Sequence, residues 1–316
     1  MKKILITGGA GYIGSKLATR LLNMNYEVTI LDDLMFSDDS LNHLFTNKNL
    51  KFFKGDTNNN KFIKKHLIGK DIVIPLAALV GAPLCEKFKK LAIKTNLNAI
   101  EYLVKNLKNK QKIIYPTTNS GYGIGEKNKY CDENSPLNPI SLYGRTKSQA
   151  EKKVLTFKNS VCFRLATIFG YSYRMRTDLL VNNFVYRAIK EKKLSLFQPH
   201  FRRNYIHVED VVSAFIFAIE NFSKVKGEIF NLGLSSANLT KLQLAQKIKK
   251  QVPELKIKIV HNKKDPDQRD YFVSNRKIEK LGFKARVNID DGIAELVKIF
   301  RSVSYTHLTL PTNREV

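Results

Sequence analysis

Short apolar runs alternate with helical patterns through the first half of the chain. The runs KILIT, EVTIL and DIVIPLA are almost continuously apolar or β-branched, which is typical of strands that are buried on both faces of a sheet. Between such runs, apolar residues recur at the three- and four-residue spacing of a helix. Strands are predicted at residues 3–7, 27–31, 51–55, 71–77, 112–118 and 160–170, and helices at 13–23, at 91–108 and from near Tyr143.

This alternation of strands and helices predicts βαβ units around a parallel sheet. We therefore expect an α/β fold, with a doubly wound parallel sheet over residues 1–170. The less regular second half suits a smaller C-terminal domain over residues 171–301, from which some segments return to the first domain. Residues 302–316 contain one acidic residue, one arginine and no lysine in a lysine-rich chain, so we predict that they are a non-native tail.

The composition bounds the class of protein. The chain has 316 residues, of which 43% are hydrophobic, and this is enough to bury one large core or two smaller ones. Its net charge of +26 invites a nucleic-acid or membrane partner. The 41 lysines and 13 arginines are, however, spread along the whole length together with Asn, Ile, Phe and Tyr, a mixture that A/T-rich codons supply. No basic stripe interleaved with aromatic residues stands out, so we expect neither partner.

The cysteines and the apolar stretches bear on the compartment. Cys85, Cys131 and Cys162 have neither CxxC nor metal-ligand spacing, so we predict no disulfide framework and no metal site. The longest apolar stretch, residues 211–219, is too short to span a bilayer. The first residues enter an apolar strand and a glycine turn directly, without the pattern of a signal peptide. The expected location is the cytoplasm.

A glycine-rich turn, TGGAGYIG, joins the first strand to the first helix. Gly9, Gly11 and Gly14 satisfy G-x-G-x-x-G, and Gly8 satisfies the related G-x-x-G-x-x-G with the last two. Such a turn lets a pyrophosphate approach the backbone amides at a helix N-terminus, as in Rossmann-type sheets. Asp32, at the end of the second strand, can accept hydrogen bonds from a ribose diol and would repel a 2′-phosphate, so NAD is predicted rather than NADP. The alternative is a tight turn without a nucleotide.

The segment SLYGRTK places Tyr143 and Lys147 four positions apart, on one face of a predicted helix. By itself this spacing does not distinguish a catalytic pair from two solvent-exposed side chains on the helix surface. A free tyrosine has a pKa near ~10 and is a poor base unless its phenolate is stabilised. A nearby lysine ammonium and a positively charged nicotinamide both favour the phenolate. The motifs elsewhere in the chain decide between the two interpretations.

Seven motifs occur in a fixed order over about residues 1–300: TGGAGYIG, LDD, GDTNN, LAA, TTNSGYG, YGRTK and RNYIHVEDV. As an ordered set they resemble the extended short-chain dehydrogenases/reductases, and among these the NAD-dependent nucleotide-sugar epimerase/dehydratase branch that includes UDP-galactose 4-epimerase. The resemblance implies that the smaller domain binds the substrate and that NAD is the cofactor. It also implies a homodimer formed by pairing the helix that bears Tyr143 with its neighbour.

The resemblance assigns site residues as well. Tyr143 would be the base and Lys147 would hydrogen-bond the nicotinamide ribose. Thr118 would contact the reacting sugar hydroxyl, and Thr117 stays open as the alternative. Asp56 would bond the adenine. The full set predicted to bind the cofactor is Gly8, Gly11, Tyr12, Ile13, Gly14, Asp32, Asp56, Thr57, Ala77, Ala78, Asn96, Tyr143 and Lys147.

The substrate end is less complete. Arginine matches the oxygens of a diphosphate with a planar fork, and Arg203 and Arg269 lie where the family grips the diphosphate of a nucleotide sugar. Two departures limit the resemblance. Asn119 and Ser120 stand where the family's 4,6-dehydratases carry Asp-Glu, and neither can do that acid-base work, so dehydration is disfavoured. Thr167 stands where many of its sugar epimerases carry Asn.

The predicted function is an NAD-dependent nucleotide-sugar epimerase. Tyr143 would take the proton from a sugar hydroxyl, expected at C4, while hydride leaves the same carbon for NAD and later returns to the other face. An NAD(P)-dependent nucleotide-sugar dehydrogenase or ketoreductase would use the same residues but release the cofactor. A non-catalytic cofactor-sensing protein on the same fold is the third interpretation.

Overall fold

The computed structural model of the chain describes residues 1–36, 39–126, 129–260 and 269–303. Within these ranges the strands are β1 (Lys3–Thr7), β2 (Glu27–Asp32), β3 (Leu50–Lys54), β4 (Ile72–Pro75), β5 (Lys112–Thr118), β6 (Tyr130–Cys131), β7 (Ser160–Leu165), β8 (Thr167–Phe169), β9 (Lys193–Phe197), β10 (Arg202–His207), β11 (Glu228–Leu232), β12 (Asn238–Thr240), β13 (Lys256–Val260) and β14 (Phe272–Val273).

The helices of the same ranges are α1 (Tyr12–Asn23), α2 (Asn60–Leu67), α3 (Ala82–Lys87), α4 (Lys89–Ile93), α5 (Ala99–Asn106), α6 (Leu142–Val154), α7 (Leu180–Lys190), α8 (Val208–Glu220), α9 (Phe222–Val225), α10 (Lys241–Gln251), α11 (Arg276–Lys280) and α12 (Ile289–Ser302). Two 3-10 turns, Asn42–Leu44 and Asn119–Tyr122, and a π-helical turn, Lys94–Asn98, complete the regular structure of these ranges.

The central sheet has the strand order β3-β2-β1-β4-β5-β7-β11, and every pairing between its neighbours is parallel. Ile4 in β1 lies opposite Val28 on one side and Ile72 on the other. The chain order reverses at this central strand, between β1 and β4, and a crevice opens there beyond the carboxyl ends of the strands. The predicted α/β fold with a doubly wound parallel sheet is confirmed.

Both faces of the sheet are covered, which explains why its strands read as continuous apolar runs. On one face, Leu17 of α1 and Phe215 of α8 pack into a core that includes Ile4. On the other face, Leu103 of α5 and Val154 of α6 pack into a separate core. Burying each such side chain contributes about 1.5–3 kcal/mol, so the two cores hold α1 and α6 firmly against the ends of the strands that they follow.

Residues beyond 170 build a further core and, together with β6 and β8, three small sheets. The sheets have the orders β12-β10-β8, β13-β9 and β14-β6. The core lies among α7, α10 and α12 and includes Val185, Leu244 and Phe300. Strand β11 joins the central sheet and α8 packs on α1, so both return to the first half of the molecule. The predicted boundary at residue 170 stays a prediction.

Two predicted elements differ from the structure. The strand predicted at 160–170 is two strands, because the chain leaves the central sheet at Ala166 and β8 pairs with β10 instead of continuing beside β5. The helix predicted at 91–108 is divided by the π-helical turn, which buries the side chain of Asn96. Most of the predicted tail, from residue 304 onward, lies outside the described residues.

The described ranges contain no helix that is both long enough and apolar enough to cross a membrane. They also contain no group of three or more His, Cys, Asp or Glu side chains that could hold a metal ion.

Candidate active site

The glycine turn between β1 and α1 leaves no room for side chains. A Cβ on Gly8, whose φ is +71°, would lie 2.5 Å from the backbone nitrogen of Ala77. A Cβ on Gly14 would lie 2.4 Å from the carbonyl oxygen of Gly8. Gly11 stands at the N-terminus of α1, where the first helical N–H groups have no partner within the helix. The turn therefore presents bare backbone and a helix N-terminus to the crevice, as an anionic group requires.

A cavity of ≈ 160 Å³ lies in this crevice. Its lining combines the glycine turn with residues that follow β2, β3 and β4. Among the residues predicted to bind the cofactor, those that line it are Gly8, Gly11, Asp32, Asp56, Thr57, Ala77 and Ala78. These residues come from separate parts of the sequence and meet because the carboxyl ends of parallel strands share one edge of the sheet.

Asp32 ties the glycine turn to the end of β2. Its carboxylate accepts hydrogen bonds from the backbone N–H of Ala10 and of Leu34, each over 2.9 Å. Burial raises the pKa of Asp32, whereas these two bonds and the guanidinium of Arg174 oppose the rise. Arg174 was not predicted; it lies 4.9 Å from the centre of the Phe36 ring, another residue of the lining. An acidic group therefore stands where a 2′-phosphate would be repelled.

The other predicted cofactor residues lie behind the lining. The hydroxyl of Tyr12 donates to the carbonyl of Gly170 over 2.7 Å, and Ile13 packs against the core. Asn96 accepts from the N–H of Leu79 and donates to its carbonyl, each over 2.9 Å. Since Leu79 lines the cavity, Asn96 supports the wall rather than forming it. Gly14 lets the start of α1 pack closely on the carbonyl of Gly8, as described above.

The predicted catalytic residues meet where β5 ends and α6 begins. Thr118 is the last residue of β5, and its hydroxyl accepts from the N–H of Ser120 over 3.1 Å. Tyr143 lies in the first turn of α6, which Ser141 caps. The side chain of Thr118 lowers the pKa of Tyr143 as a hydrogen-bond partner, so the two side chains face each other. The hydroxyl of Thr117 is buried and has no hydrogen-bond partner among the residues that the structure describes. The geometry thus favours Thr118 over Thr117 as the neighbour of Tyr143.

The electrostatics around Tyr143 come from several elements. The pKa of Tyr143 is raised to about 12, mainly by burial and also by Cys85. The guanidinium groups of Arg269 and Arg176 and the hydrogen bond from Thr118 lower it. Arg176 and Cys85 were not predicted as site residues. The sequence signal for Arg176 was the basic segment YRMRTD, which by itself does not show which arginine turns inward.

Lys147 lies one turn after Tyr143 and is 4% exposed. Its ammonium nitrogen is 4.1 Å from the centre of the Tyr115 ring. Burial lowers the pKa of Lys147 to about 7, although Cys162 and Glu151 act in the opposite direction. In this geometry the lysine is not the only source of positive potential near the base. The two arginines contribute to it as well.

The two arginines predicted to bind a diphosphate take different positions. Arg203, in β10, is buried and donates from Nη1 to the carbonyl of Arg202 over 2.9 Å. Arg269 reaches the catalytic end of the site and donates from Nη1 to the hydroxyl of Ser120. Arg202 instead pairs with Asp270, with Nε 2.9 Å from Oδ1. The structure therefore brings Arg269, but not Arg202, to the turn that follows Thr118.

A glycine-lined crevice at the reversal of a parallel sheet, with a tyrosine, a lysine and a threonine gathered at the ends of β5 and α6, defines the class of short-chain dehydrogenases/reductases. A family model described as the NAD dependent epimerase/dehydratase family matches residues 4–233. The chain belongs to this extended branch of the class, and its cofactor is NAD. The residues fit this cofactor, because the glycine turn has no space for side chains at Gly8 and Gly14 and so leaves its backbone open to a pyrophosphate.

Proteins similar to this chain include enzymes that catalyse different reactions. The chain is 30% identical over 275 residues to a dTDP-D-glucose 4,6-dehydratase of Dictyostelium discoideum, covering 78% of this chain and 62% of that protein. It is 29% identical over 313 residues to a trifunctional UDP-glucose 4,6-dehydratase/UDP-4-keto-6-deoxy-D-glucose 3,5-epimerase/UDP-4-keto-L-rhamnose-reductase of Arabidopsis thaliana, covering 92% of this chain and 46% of that protein. The chain thus spans between about half and two thirds of these relatives.

The fold is also that of a solved UDP-glucose 4-epimerase of Thermotoga maritima with UDP-glucose. The TM-score is 0.84 and the identity 25%, and the match covers 95% of this chain and 99% of that one. Together these likenesses agree with membership of the NAD dependent epimerase/dehydratase family. They leave the individual reaction to be argued from the site.

Proposed function

We propose that the protein is an epimerase of a nucleotide sugar that oxidises one sugar hydroxyl, at C4, and reduces the resulting ketone from the other face. The observation that carries the proposal is the position of Tyr143, which faces Thr118 at the end of β5 and packs with Leu79 and Leu91 of the cavity lining. NAD supplies the chemistry of hydride acceptance and return. The chain supplies the proton transfer and the positioning.

Tyr143 is the proposed base. It takes the proton of the sugar hydroxyl while Thr118 holds that hydroxyl in place. Burial disfavours the phenolate, so the base needs positive charge nearby, and Arg269 and Arg176 supply part of it. Lys147, one turn later on α6, would hydrogen-bond the ribose of the cofactor. These roles are proposals that support one reaction class, reversible oxidation of a carbinol.

The proposed substrate is a nucleoside diphosphate sugar. Arg203 and Arg269 are the groups that would grip its diphosphate, since a guanidinium pairs with two phosphate oxygens at once. The solved epimerase with UDP-glucose, which has the same fold, supports this class of substrate. Within the described residues of this chain, Arg269 is also the arginine that contacts the turn after Thr118. Arg269 would therefore lie between the diphosphate and the sugar and could contact both.

Dehydration is not proposed, although dehydratases are among the relatives. Removal of water across two sugar carbons needs an acid and a base beside the redox centre. At the two positions after Thr118 this chain has Asn119 and Ser120, both buried. At neutral pH an amide and a hydroxyl act neither as an acid nor as a base. The missing carboxylates therefore favour a reaction in which the hydride returns to the carbon that it left.

The test is proton NMR of the protein incubated with substoichiometric NAD and a panel of UDP-, GDP- and dTDP-hexoses. An epimerase converts many sugar molecules per cofactor, because the cofactor is regenerated in each turnover. Tyr143→Phe should abolish the new isomer, whereas the exposed Tyr130→Phe should not. If conversion instead stops at one sugar per cofactor and leaves a keto or reduced product, the protein is a nucleotide-sugar dehydrogenase or ketoreductase and the epimerase proposal fails.

We also propose that the protein is a homodimer that pairs α5 and α6 of each copy. These helices already pack on each other within one chain, and Lys153 of α6 lies 3.7 Å from Glu101 of α5. Light scattering coupled to size-exclusion chromatography should give twice the chain mass. A monomer that is fully active would contradict this proposal without affecting the catalytic one.

A further inference from the structure

Three side chains connect the substrate side of the site to the oxygen of Tyr143. Arg269 Nη1 donates to Ser120 Oγ, and Thr118 Oγ1 donates to the same serine oxygen over 2.9 Å. The side chain of Thr118 also faces Tyr143, whose pKa it lowers as a hydrogen-bond partner. Ser120 is 3% and Thr118 7% exposed, so water hardly competes for these bonds. We call this set, Arg269, Ser120, Thr118 and Tyr143, the hydroxyl relay.

The proton count of the relay fits a protonated tyrosine. Each hydroxyl has one proton and two lone pairs. The oxygen of Thr118 accepts from the N–H of Ser120 and gives its own proton to the serine oxygen. Its second lone pair can then accept from the phenol of Tyr143. In this direction Tyr143 donates to Thr118 and Thr118 donates to Ser120, whose oxygen also accepts from Arg269.

Ionisation of Tyr143 requires the opposite direction. A phenolate only accepts, so Thr118 must turn its proton toward Tyr143. Ser120 can then donate into the lone pair of Thr118 that the phenol has vacated. Arg269 has donors and no acceptor, so it continues to donate to the serine oxygen in either state. Only two hydroxyl protons rotate, and all donors then point from the guanidinium to the phenolate.

We propose that Ser120 is a positioning residue for the base, whose hydroxyl reverses its bond with Thr118 when Tyr143 ionises and so lets Arg269 stabilise the phenolate through the relay. The inference rests on the proposed function, in which Tyr143 is the base. It also gives a role to the departure from the dehydratase pattern. A hydroxyl can donate and accept, whereas an ionised carboxylate at this position only accepts and would repel the phenolate.

Other groups face Tyr143 from the surrounding elements and would stay in place when Ser120 is replaced. They are Arg176, which precedes α7, Cys85 of α3, Tyr115 of β5, and Lys147 one turn along α6. Arg176 favours the phenolate and Cys85 disfavours it. Because none of them belongs to the relay, their effects should cancel in a comparison of Ser120 variants.

The test is a pH titration of Tyr143 in the full-length protein loaded with NAD. The ultraviolet absorbance of tyrosinate is measured for each protein and for the same protein carrying Tyr143→Phe, and the difference isolates Tyr143. We expect Ser120→Ala to raise the pKa by about one unit, which is about tenfold less phenolate at any pH well below the pKa. Ser120→Thr, which keeps the hydroxyl, should restore the wild-type titration.

Ser148→Ala is the matched control. It removes another buried hydroxyl, from α6, that lies close to the same turn, since its oxygen would be 2.9 Å from a Cβ on Gly121. We expect no shift in this variant. The inference is overturned if Ser120→Ala binds NAD normally and titrates as the wild type does, or if Ser148→Ala shifts the titration equally.

A substitute variant and a substrate-free measurement keep the test interpretable. Should Ser120→Ala fail to fold, Ser120→Cys takes its place, because a thiol is a weak donor and should raise the pKa in the same direction. The titration needs no substrate. A protein that is inactive on every nucleotide sugar would therefore refute the proposed function, while the titration would still decide whether the relay stabilises the phenolate.

Discussion

Arg164 in β7 and Glu151 in α6 form a buried ion pair, with Nη2 of the arginine 2.7 Å from Oε1 of the glutamate. The arginine Nε also lies 3.1 Å from Oε2, so the contact is bidentate. The side chains are 5% and 2% exposed. Since α6 also carries Tyr143 and Lys147, this pair fixes the catalytic helix to the central sheet.

Removal of either member of the pair should destabilise the protein strongly. In Glu151→Gln the guanidinium stays buried without its counter-charge, and we expect the free energy of unfolding to fall by about 3–5 kcal/mol. Urea denaturation measures the loss. The double variant Glu151→Met/Arg164→Met should recover part of it, because neither charge is then buried. If the free energy of unfolding falls by less than about 1 kcal/mol in Glu151→Gln, the pair behaves like an exposed one and does not hold α6 to the sheet.

The two neighbouring threonines provide a test of the catalytic assignment. Thr118→Val removes the hydroxyl that contacts Tyr143 and keeps the shape, so kcat should fall by about 10²-fold or more while NAD affinity is retained. Thr117→Val is the control, since its hydroxyl has no partner within the described part of the chain. It should leave kcat nearly unchanged and should not lower stability, because an unsatisfied buried hydroxyl is replaced by a methyl group. The reverse pattern would assign the role to Thr117.

Lys147 should make stability depend on pH in the cofactor-free protein. Its pKa is about 7 in the folded state and 10.5 as the reference value for the unfolded chain. Between these values the unfolded chain binds the extra proton, so the free energy of unfolding should rise as pH rises from about 7 toward 10.5. Below pH 7 both states are protonated, and the cost of burying the ammonium is fully present.

Lys147→Met should remove this cost and this part of the pH dependence. At pH 7 and below the variant should be more stable than the wild type, by about 1.4 kcal/mol for each unit by which the pKa is lowered. Urea denaturation at several pH values above 7 measures the slope. The exposed Lys152→Met, on the same helix, should leave the slope unchanged. A wild-type stability that stays flat over this range would mean that the ammonium is solvated.

Gly8→Ala should weaken NAD binding. Its φ of +71° disfavours a side chain, and the new Cβ would also meet the backbone of Ala77. Gly69→Ala is a matched control, because Gly69 has the same φ of +71° and a Cβ there would meet nothing within 4 Å. We expect both variants to lose about 1–2 kcal/mol of stability from the backbone conformation. Only Gly8→Ala should also lose NAD affinity, by about tenfold or more, as measured by isothermal titration calorimetry. Equal affinity losses would show that strain alone is responsible.

The sequence was most informative where function depends on local backbone. The glycine turn and Asp32 were predicted from their places at the ends of strands, and Ala77 and Ala78 from the family resemblance; the ends of parallel strands meet at one edge of the sheet. The structure accordingly places them along one cavity. Their contacts with NAD stay predictions, as do the roles of Tyr143, Lys147 and Thr118.

Sequence patterns were least informative where the chain changes sheet or where distant side chains meet. A continuous apolar run predicted one strand at 160–170, but apolarity records only burial, which β7 and β8 share although they belong to different sheets. The bond between Arg269 and Ser120 joins residues 149 positions apart. No periodicity encodes such a contact.

By itself, the sequence determined the α/β class, the parallel sheet, the NAD-binding family and the position of the catalytic helix, because each of these follows from hydrophobic period or from short motifs in contiguous residues. Only the tertiary structure decided that Thr118 rather than Thr117 faces Tyr143, that Arg176 and Arg269 supply charge to the phenol, and that Lys147 packs over Tyr115. These relationships depend on how close-packed elements from separate segments orient their side chains. That orientation is set by the packing of the whole fold rather than by local sequence.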